Sequence, residues 1–321
     1  MTTLTTETLP ARVPARKHGA GDIVFRSLAV GFASLVLLCM AGIFVSLLDS
    51  SWLSLSRFRF GFLWSKEWNP VTEQFGAAPT IFGSLVSTAI AMAIAMPLSA
   101  AIAGFLVDLA PPRVSRLVGY GIELLAAIPS IIYGMWGLFS FAPFMAEYIQ
   151  PPVQAVFGFL PLFQGPPIGI GMLTAGIILA LMVLPFVSAV MRDVLQMVPP
   201  VLKESAYGMG STSWEVARRV TFPYAVEGLI GAAFLGLARA IGETMAVTFV
   251  IGNNHEIAAS LFAPSATIPS TLANEFTEAT TPLYLSALVE LGLVLFVITF
   301  FIQVLAHLWL RRLAKSSGRD R

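Results

Sequence analysis

Two charged residues stand inside an otherwise apolar stretch, and their side chains are the ones best suited to chemistry. Arg239 and Glu243 lie in the apolar run 224–251. Placing an arginine in the middle of a bilayer costs roughly 2.5 to 17 kcal/mol, so an unpaired position facing lipid is disfavoured. We therefore expect Arg239 to face the interior of a helix bundle or a water-filled path.

The spacing of these two residues predicts a pair. Glu243 follows Arg239 by four positions, so on a helix both side chains share one face and can pair across a turn. One interpretation is a structural ion pair. The other is a translocation site for an oxyanion, since a guanidinium offers forked donors to a tetrahedral anion. Glu243 would accept a hydrogen bond from a protonated anion and repel an unprotonated one, which near neutral pH favours phosphate over sulfate.

A second pattern lies in the polar connection 192–223. Apolar residues between 205 and 220 recur at roughly helical spacing. This predicts a short surface helix, a turn at 210–213 and a second helical segment that stops before Pro223. Small residues at the start of the pattern would let the backbone of another protein approach closely. We expect Glu204 near the start of the first helix, where an acidic side chain suits the helix dipole.

Composition defines the elements that must hold these residues. Hydrophobic residues make up 56% of the 321 residues and charged residues only 12%, with a mean hydropathy of +0.80. Soluble domains have about 25% charged residues, so this is an all-α membrane protein. A membrane-spanning helix needs about 20 mostly apolar residues. Six segments qualify, at about 27–48, 80–106, 117–143, 169–191, 224–251 and 282–310.

The polar segments complete the predicted organisation. A disordered tail (1–22) precedes a transmembrane domain (23–311), and a short tail (312–321) follows it. Fifteen of the nineteen lysine and arginine residues lie in the two tails and in the second and fourth connections. By the positive-inside rule, both termini face the cytoplasm. We expect a multi-pass protein of the bacterial cytoplasmic (inner) membrane.

The connection 192–223 resembles the coupling loop of type I ABC importer permeases. That motif runs Glu-Ala-Ala-x-x-x-Gly, then nine residues, then Ile-x-Leu-Pro, and it differs here by Ser for Ala, Val for Ile and Phe for Leu. The resemblance implies that a separate ATPase docks on this loop. The positions that match are Glu204, Ser205, Ala206, Gly210, Val220, Phe222 and Pro223.

The sequence contains no nucleotide-binding motif of its own. A phosphate-binding Walker loop needs Gly-Lys-Ser or Gly-Lys-Thr, and none of the four lysines follows a glycine. Catalytic motifs are absent as well. We therefore expect a non-enzymatic subunit without a cofactor, whose ATP hydrolysis is supplied by another chain.

Three further segments resemble a narrower family more specifically. Residues 123–139, 239–253 and 272–276 are similar to the PstC permeases of the bacterial high-affinity phosphate importer, and the similarity covers about 52–310. It implies a six-helix permease that works by alternating access and carries its charged phosphate-path pair at Arg239 and Glu243. It also implies several partners, namely a PstA-like second permease, two PstB-like ATPases and a PstS-like phosphate-binding protein. A PhoU-like regulator is a further partner if the chain also reports phosphate supply.

Several alternatives remain open at the level of sequence. The substrate could be another oxyanion, such as sulfate or molybdate. An ion channel or proton-coupled carrier could use Arg239 and Glu243 as a relay without an ATPase, which leaves the coupling loop unexplained. A role in phosphate sensing is compatible with transport. There is no basic patch that indicates nucleic-acid binding.

Other ionisable residues have weaker claims to a function. His255, beside Glu256, falls short of a metal-ligand set, so we expect no metal and favour a contact within the loop or with a binding protein. Glu123 and Glu290 lie in apolar segments. We interpret both as structural, each paired with a helix terminus or a neighbouring subunit.

Overall fold

The computed structural model describes residues 20–316, which are helical except for connecting segments and two isolated β-bridges. Almost all of the predicted tail 1–22, and the last five residues, lie outside this range. Fifteen α-helices occur within it: α1 (Ala20–Ser50), α2 (Trp52–Phe58), α3 (Gly61–Trp64), α4 (Ala78–Gly104), α5 (Pro112–Ala126), α6 (Ser130–Trp136), α7 (Ala142–Phe144), α8 (Gln150–Phe157), α9 (Met172–Gln196), α10 (Pro200–Gly208), α11 (Ser213–Val216), α12 (Phe222–Ile241), α13 (Met245–Thr248), α14 (Ile268–Glu275) and α15 (Pro282–Ser316).

Two compact units divide the chain. The first ends at Ser46, and its described part is most of α1, an apolar helix. The second begins at Leu47 and contains all the other helices. Wider π-helical turns extend several of them, at Phe105–Leu109, Gly137–Phe141, Met145–Ile149 and Ala217–Thr221.

Five continuous helices in the described range are long and apolar enough to cross a membrane. They are Val24–Ser50, Ala78–Leu109, Met172–Gln196, Ser213–Ile241 and Pro282–Arg312. The segments Pro112–Ala126 and Ser130–Phe157 meet the same test together, with a bend of 87° between them. If this pair forms one span, the total is six.

The bend differs from the single helix predicted for 117–143, and Pro129 explains it. Proline has no N–H to donate to the carbonyl of Leu125, and it disfavours helical backbone at the residue before it. Two other donors reach that Leu125 carbonyl, namely the backbone N–H of Ile128 at 3.3 Å and the hydroxyl of Tyr133 at 3.1 Å. A backbone group within the break and a side chain from the next helix thus both satisfy this carbonyl, as apolar surroundings require.

The main core of the second unit lies between α4, α9 and α12. Ala91 and Ala95 of α4 and Val183 and Val187 of α9 are fully buried. Small residues let these helices come close: a Cβ atom at Gly236 of α12 would overlap the side chain of Val187. The contacts fix the orientation of α12, which carries the predicted charged pair.

A separate cluster joins the loops at the end of the molecule that the basic residues predict to be external. The Glu275 carboxylate accepts hydrogen bonds from Trp68 Nε1 at 2.7 Å and from the Tyr284 hydroxyl at 2.6 Å. His255 Nε2 lies 3.4 Å from Glu275 Oε1 and 3.1 Å from Thr271 Oγ1, and the His255 ring stacks on Trp68. One carboxylate therefore connects the loop before α4, the loop before α14, α14 itself and α15. We call these five residues the outer cluster.

The outer cluster should make stability depend on pH. Burial lowers the pKa of His255 below its ordinary value of 6.5, against the opposing effect of Glu275. The unfolded chain then binds the proton more readily than the folded chain, so stability is complete above pH 6.5 and declines as the pH falls below it. We expect His255→Gln to remove this part of the decline.

The measurement is the thermal unfolding midpoint of the purified protein from about pH 5 to pH 8. His307→Gln is the matched control, since His307 is exposed on α15. Parallel pH profiles for the wild type and His255→Gln would contradict the assignment.

Close helix packing gives a second prediction. A Cβ atom at Gly83 of α4 would overlap the carbonyl oxygen of Ala266, a backbone atom that cannot rotate away. We expect Gly83→Ala to lower the free energy of unfolding by about 1–3 kcal/mol. At Gly121 of α5 an added Cβ meets nothing within 4 Å. Gly121→Ala should therefore be neutral or slightly stabilising in the same thermal melt, and equal effects of the two changes would contradict the packing.

Candidate functional site

The predicted apolar helix 224–251 is interrupted in the structure. α12 ends at Ile241, Gly242 and the next two residues are not helical, and α13 begins at Met245. The carboxylate of Glu243 accepts a hydrogen bond from the backbone N–H of Ala246 at 3.3 Å. It thereby satisfies one of the N–H groups that the start of a helix leaves unpaired. Glu243 therefore caps the start of α13.

Arg239 lies in the last turn of α12, on a face that is exposed in this chain. Its guanidinium carbon stands 5.2 Å from the centre of the Phe186 ring. A cation over an aromatic ring and near the carboxyl end of a helix is stabilised by both the ring and the helix dipole. These contacts hold the side chain without occupying all of its N–H donors.

The predicted ion pair between Arg239 and Glu243 is not formed. Within residues 20–316 neither side chain makes a salt bridge. The structural ion pair was one of two interpretations of these residues, and it requires a continuous helix that brings both side chains to one face. In the structure the helix ends between the two residues. The guanidinium and the carboxylate therefore lie at the same break in the backbone but have different contacts. Glu243 caps α13, and Arg239 lies over the Phe186 ring.

Neighbouring helices support the interruption. A Cβ atom at Gly134 of α6 would lie 2.8 Å from the carbonyl oxygen of Met245, so glycine is needed for this approach. The side-chain amide of Asn253 donates to the carbonyl of Thr248 at 3.0 Å, which pairs a carbonyl at the end of α13. α13 packs against both α6 and α14. The segments 123–139, 239–253 and 272–276, singled out in the sequence, thus come together around α13.

The connection 192–223 forms the two predicted helical pieces, with two corrections. α10 begins at Pro200, so Glu204 lies in the middle of that helix and does not cap its start. Pro200 occupies the first turn, where the missing N–H is tolerated. The turn follows at Gly210, whose φ of 87° is in the left-handed region that favours glycine. Thr212 and Glu215 then begin α11 with reciprocal capping hydrogen bonds.

The second correction concerns Pro223, which does not end a helical segment. The chain continues from α11 through the π-helical turn Ala217–Thr221 into α12, and Pro223 lies in the first turn of α12. The wider turn bonds Phe222 N–H to the carbonyl of Ala217, five residues back. This shift in the hydrogen-bond ladder lets the helix run past a residue that has no N–H.

The seven predicted coupling residues divide by exposure. Glu204, Ser205, Gly210 and Pro223 are exposed, and Ala206 is buried. Phe222 is only partly exposed, and its ring is so close to Gly104 of α4 that a Cβ atom there would lie 2.7 Å from Cζ. Val220 is partly exposed too. The motif therefore contains outward-facing and inward-packing positions in one segment.

Sequence reasoning missed two ion pairs near this connection, one joining α10 to the end of α4 and the other joining α9 to α5. Lys203 Nζ lies 2.7 Å from Asp108 Oδ1, and the Asp108 side chain is only 2% exposed. Arg192 Nη2 lies 2.6 Å from Glu123 Oε1, so Glu123 pairs with α9. An acidic residue at the end of an apolar run was a usable signal for Asp108. Nothing in the sequence identified which cation would reach it.

Large apolar side chains are exposed on the surface of the connection 192–223. Met209 is 81% exposed, and Met197, Val201 and Trp214 are also largely exposed. Monomeric proteins rarely leave such a group uncovered, so this surface suits a protein partner.

Comparisons with known proteins agree with this arrangement. The family model described as the binding-protein-dependent transport system inner membrane component matches residues 100–315. The chain is 52% identical over 307 residues to the phosphate transport system permease protein PstC of Mesorhizobium japonicum, covering 94% of each chain. It is 52% identical over 306 residues to the PstC of Pasteurella multocida, covering 94% of this chain and 95% of the relative.

Solved structures share the fold at low sequence identity. A chain of a bacterial alginate ABC transporter, solved in complex with its alginate pentasaccharide-bound periplasmic protein, aligns with a TM-score of 0.61 at 13% identity, covering 92% of this chain and 96% of that chain. A chain of the inward-facing MetNI methionine ABC transporter aligns with a TM-score of 0.55 at 18% identity, covering 73% and 94%. The fold is thus that of an ABC importer permease. The chain belongs to the binding-protein-dependent transport system inner membrane components and, among them, to the PstC phosphate transport system permease proteins.

Proposed function

We propose that this chain is the permease subunit of an ATP-driven importer that moves inorganic phosphate into the cytoplasm by alternating access. Membership of the PstC family, over nearly the whole length of the chain, supports the substrate. The observation that carries the mechanism is the position of Arg239, an exposed guanidinium beside a break in a membrane helix. Interrupted helices form the substrate sites of many transporters.

Arg239 is suited to bind the anion itself. A guanidinium presents paired N–H donors that match two oxygens of a tetrahedral anion. Phe186 supports the guanidinium from one side. Arg239 is exposed and makes no salt bridge within residues 20–316, so an anion can bind without first breaking an internal pair. The charge also lowers the cost of bringing phosphate into an apolar layer.

Glu243 is suited to discriminate between anions. Its carboxylate is partly buried at the same break and is held by the N–H of Ala246. A fixed carboxylate accepts a hydrogen bond from a protonated phosphate oxygen and repels sulfate, which has no proton near neutral pH. Selectivity of this kind comes from penalising the wrong ligand as well as binding the right one.

The exposed position of the Arg239 site indicates how the complex is assembled. It belongs to an ABC transporter complex, and a site exposed on its own surface needs a wall from another subunit. We assign that wall to a PstA-like permease. A PstS-like protein would deliver phosphate at the external end, and two PstB-like ATPases would supply ATP hydrolysis, one of them docking on α10 and α11. A PhoU-like regulator would account for any added role in phosphate sensing.

Lys203 and Asp108 are suited to transmit force from the docking surface to the bundle. Lys203 is on α10, one residue before Glu204, and Asp108 lies in the turn that ends α4. A buried ion pair resists separation because each charge would lose its only compensation. Movement of α10 by an ATPase would therefore move the end of α4 with it.

The other functions considered have less support. Sulfate or molybdate import uses the same fold, but the similar proteins are phosphate transport permeases. A channel or proton-coupled carrier requires a relay between Arg239 and Glu243, and the helix break separates them. Such a protein would also have no use for the exposed surface of α10 and α11.

Radiolabelled phosphate uptake tests the site. Cells without their own PstC are complemented with the wild type, Arg239→Gln or Arg239→Lys at equal membrane abundance. We expect Arg239→Gln to lose uptake by about 10²-fold or more, as when a charged hydrogen-bonding group of a binding site is removed. Arg239→Lys should retain part of the uptake because the charge remains and the fork is lost.

Sulfate uptake in the same cells is the control for general damage, and co-purification of the ATPase reports assembly. Glu243→Gln should keep the cap on α13 and admit more sulfate relative to phosphate. Equal phosphate uptake by wild type and Arg239→Gln would refute the site. Failure of the wild type itself to restore uptake would refute the function.

A double-mutant cycle tests the link between the loop and the bundle. Lys203→Met leaves a buried, unpaired carboxylate at Asp108, so it should destabilise the chain by about 3–5 kcal/mol. Adding Asp108→Asn should recover most of that loss. Thermal unfolding measures stability, and phosphate uptake per unit of ATP hydrolysed measures coupling. If the double variant is stable yet its coupling stays at the wild-type level, the pair is structural and does not transmit force.

A further inference from the structure

A groove of about 820 Å³ opens on the second unit between α15 and the segment from α2 to the start of α4. Its walls are apolar and include Trp64, Leu85 and Val294, while Arg59 and Glu290 supply its charged groups. A volume of this size is typical of sites for small organic ligands, which span about 300–1,000 Å³. The groove is remote in sequence from both the helix break and the coupling loop.

The groove extends from the external membrane surface into the apolar layer. The basic residues predict that the connection carrying α2 and α3 is external, and Phe60 and Trp64 are 84% and 80% exposed there, as in an interfacial aromatic belt. α15 starts at Pro282, so Glu290 lies about 12 Å further along this helix at 1.5 Å per residue. Val294 is one turn deeper.

One acidic group in the wall of the groove is buried and incompletely satisfied. Glu290 is 3% exposed, and its Oε2 atom has no hydrogen bond within residues 20–316. The Ser54 hydroxyl lies within reach of this carboxyl group but does not line the groove. An incompletely satisfied buried polar group is costly. A buried carboxyl group in the wall of an apolar groove indicates a ligand that brings a polar atom to this depth.

Arg59 marks the rim. It separates α2 from α3, and its φ of 51° is unusual for a residue other than glycine. Such strain persists where surrounding structure imposes it, and here it fixes the position of a cation next to the groove. Its neighbour Arg57 stands over the Phe58 ring and does not line the groove.

We propose that the groove binds one anionic phospholipid of the outer leaflet. Along the membrane normal, a phospholipid presents a phosphate, then ester carbonyls, then an acyl chain. The groove offers Arg59 at the rim, the Glu290 carboxyl group below it, and apolar walls along Leu85 and Val294. Glu290 in its protonated form can donate a hydrogen bond to an ester carbonyl. A protein helix would supply the apolar part but not this order of polar groups.

The test uses the assembled transporter extracted from membranes in mild detergent, with retained phospholipid counted by native mass spectrometry. Arg59→Gln should lower occupancy by about fivefold, the effect of one cation on an anionic lipid. Val294→Trp should fill the groove and abolish retention. The controls are Arg57→Gln and Leu305→Trp, an exposed position lower on α15, and both should retain lipid as the wild type does.

The chemistry of the head group is tested by exchange. Delipidated transporter is placed in phosphatidylcholine vesicles with or without phosphatidylglycerol. The wild type should retain lipid only when phosphatidylglycerol is present. Arg59→Gln should show the same retention with either kind of vesicle. Equal retention in every variant would mean surrounding bulk lipid only and would overturn the proposal. So would a photoreactive residue at Trp64 that cross-links to another subunit, because protein would then fill the groove.

Discussion

The termination of α12 at Gly242 is the constraint on which the rest of the site depends. In an apolar layer every backbone N–H and carbonyl group must find a partner inside the protein, so a break in a helix is allowed only where other groups complete it. Glu243 supplies one partner through Ala246, and Asn253 supplies another at the end of α13. The polar residues around Arg239 therefore complete the backbone as well as create a polar position in the membrane.

The two ends of the molecule are fastened by different interactions. At the end that the basic residues predict to be cytoplasmic, two charged pairs join α10 to the end of α4 and α9 to α5. At the opposite end, Glu275 accepts hydrogen bonds from separate segments. The core between α4 and α9 is made of small, fully buried residues and contains few groups that can change partners. This distribution suits a permease whose ends rearrange while its centre moves as a body.

The sequence was informative where a residue has a high energetic cost that depends only on its local environment. Arg239, the apolar spans and the turn at Gly210 were predictable, because an intramembrane charge, a run of about 20 apolar residues and a left-handed backbone each leave a clear pattern. Membership of the PstC family was also predictable, from three short segments that α6, α13 and α14 bring together.

Other features were not predictable because they depend on long-range contacts. Periodicity treated 224–251 as one helix, although the helix ends at Ile241 and Glu243 lies within the break of three residues that follows. Pro223 seemed to end a helix until the π-helical turn before it provided another hydrogen-bonding pattern. The partners of Asp108 and Glu123 are 95 and 69 residues away, a distance over which charge pattern alone gives no pairing.

The sharing of one carboxylate in the outer cluster has a consequence for how the external end opens. Trp68 and Tyr284 both donate to Glu275 Oε2, and His255 lies against the other oxygen. If any one of these segments leaves alone, it exposes its own donor and also weakens the position of the carboxylate that holds the others. We therefore expect intermediates with one segment displaced to be poorly populated, so that this end opens in one concerted step. In the proposed cycle of alternating access, an end that is either fully closed or fully open would limit leakage while the opposite end rearranges.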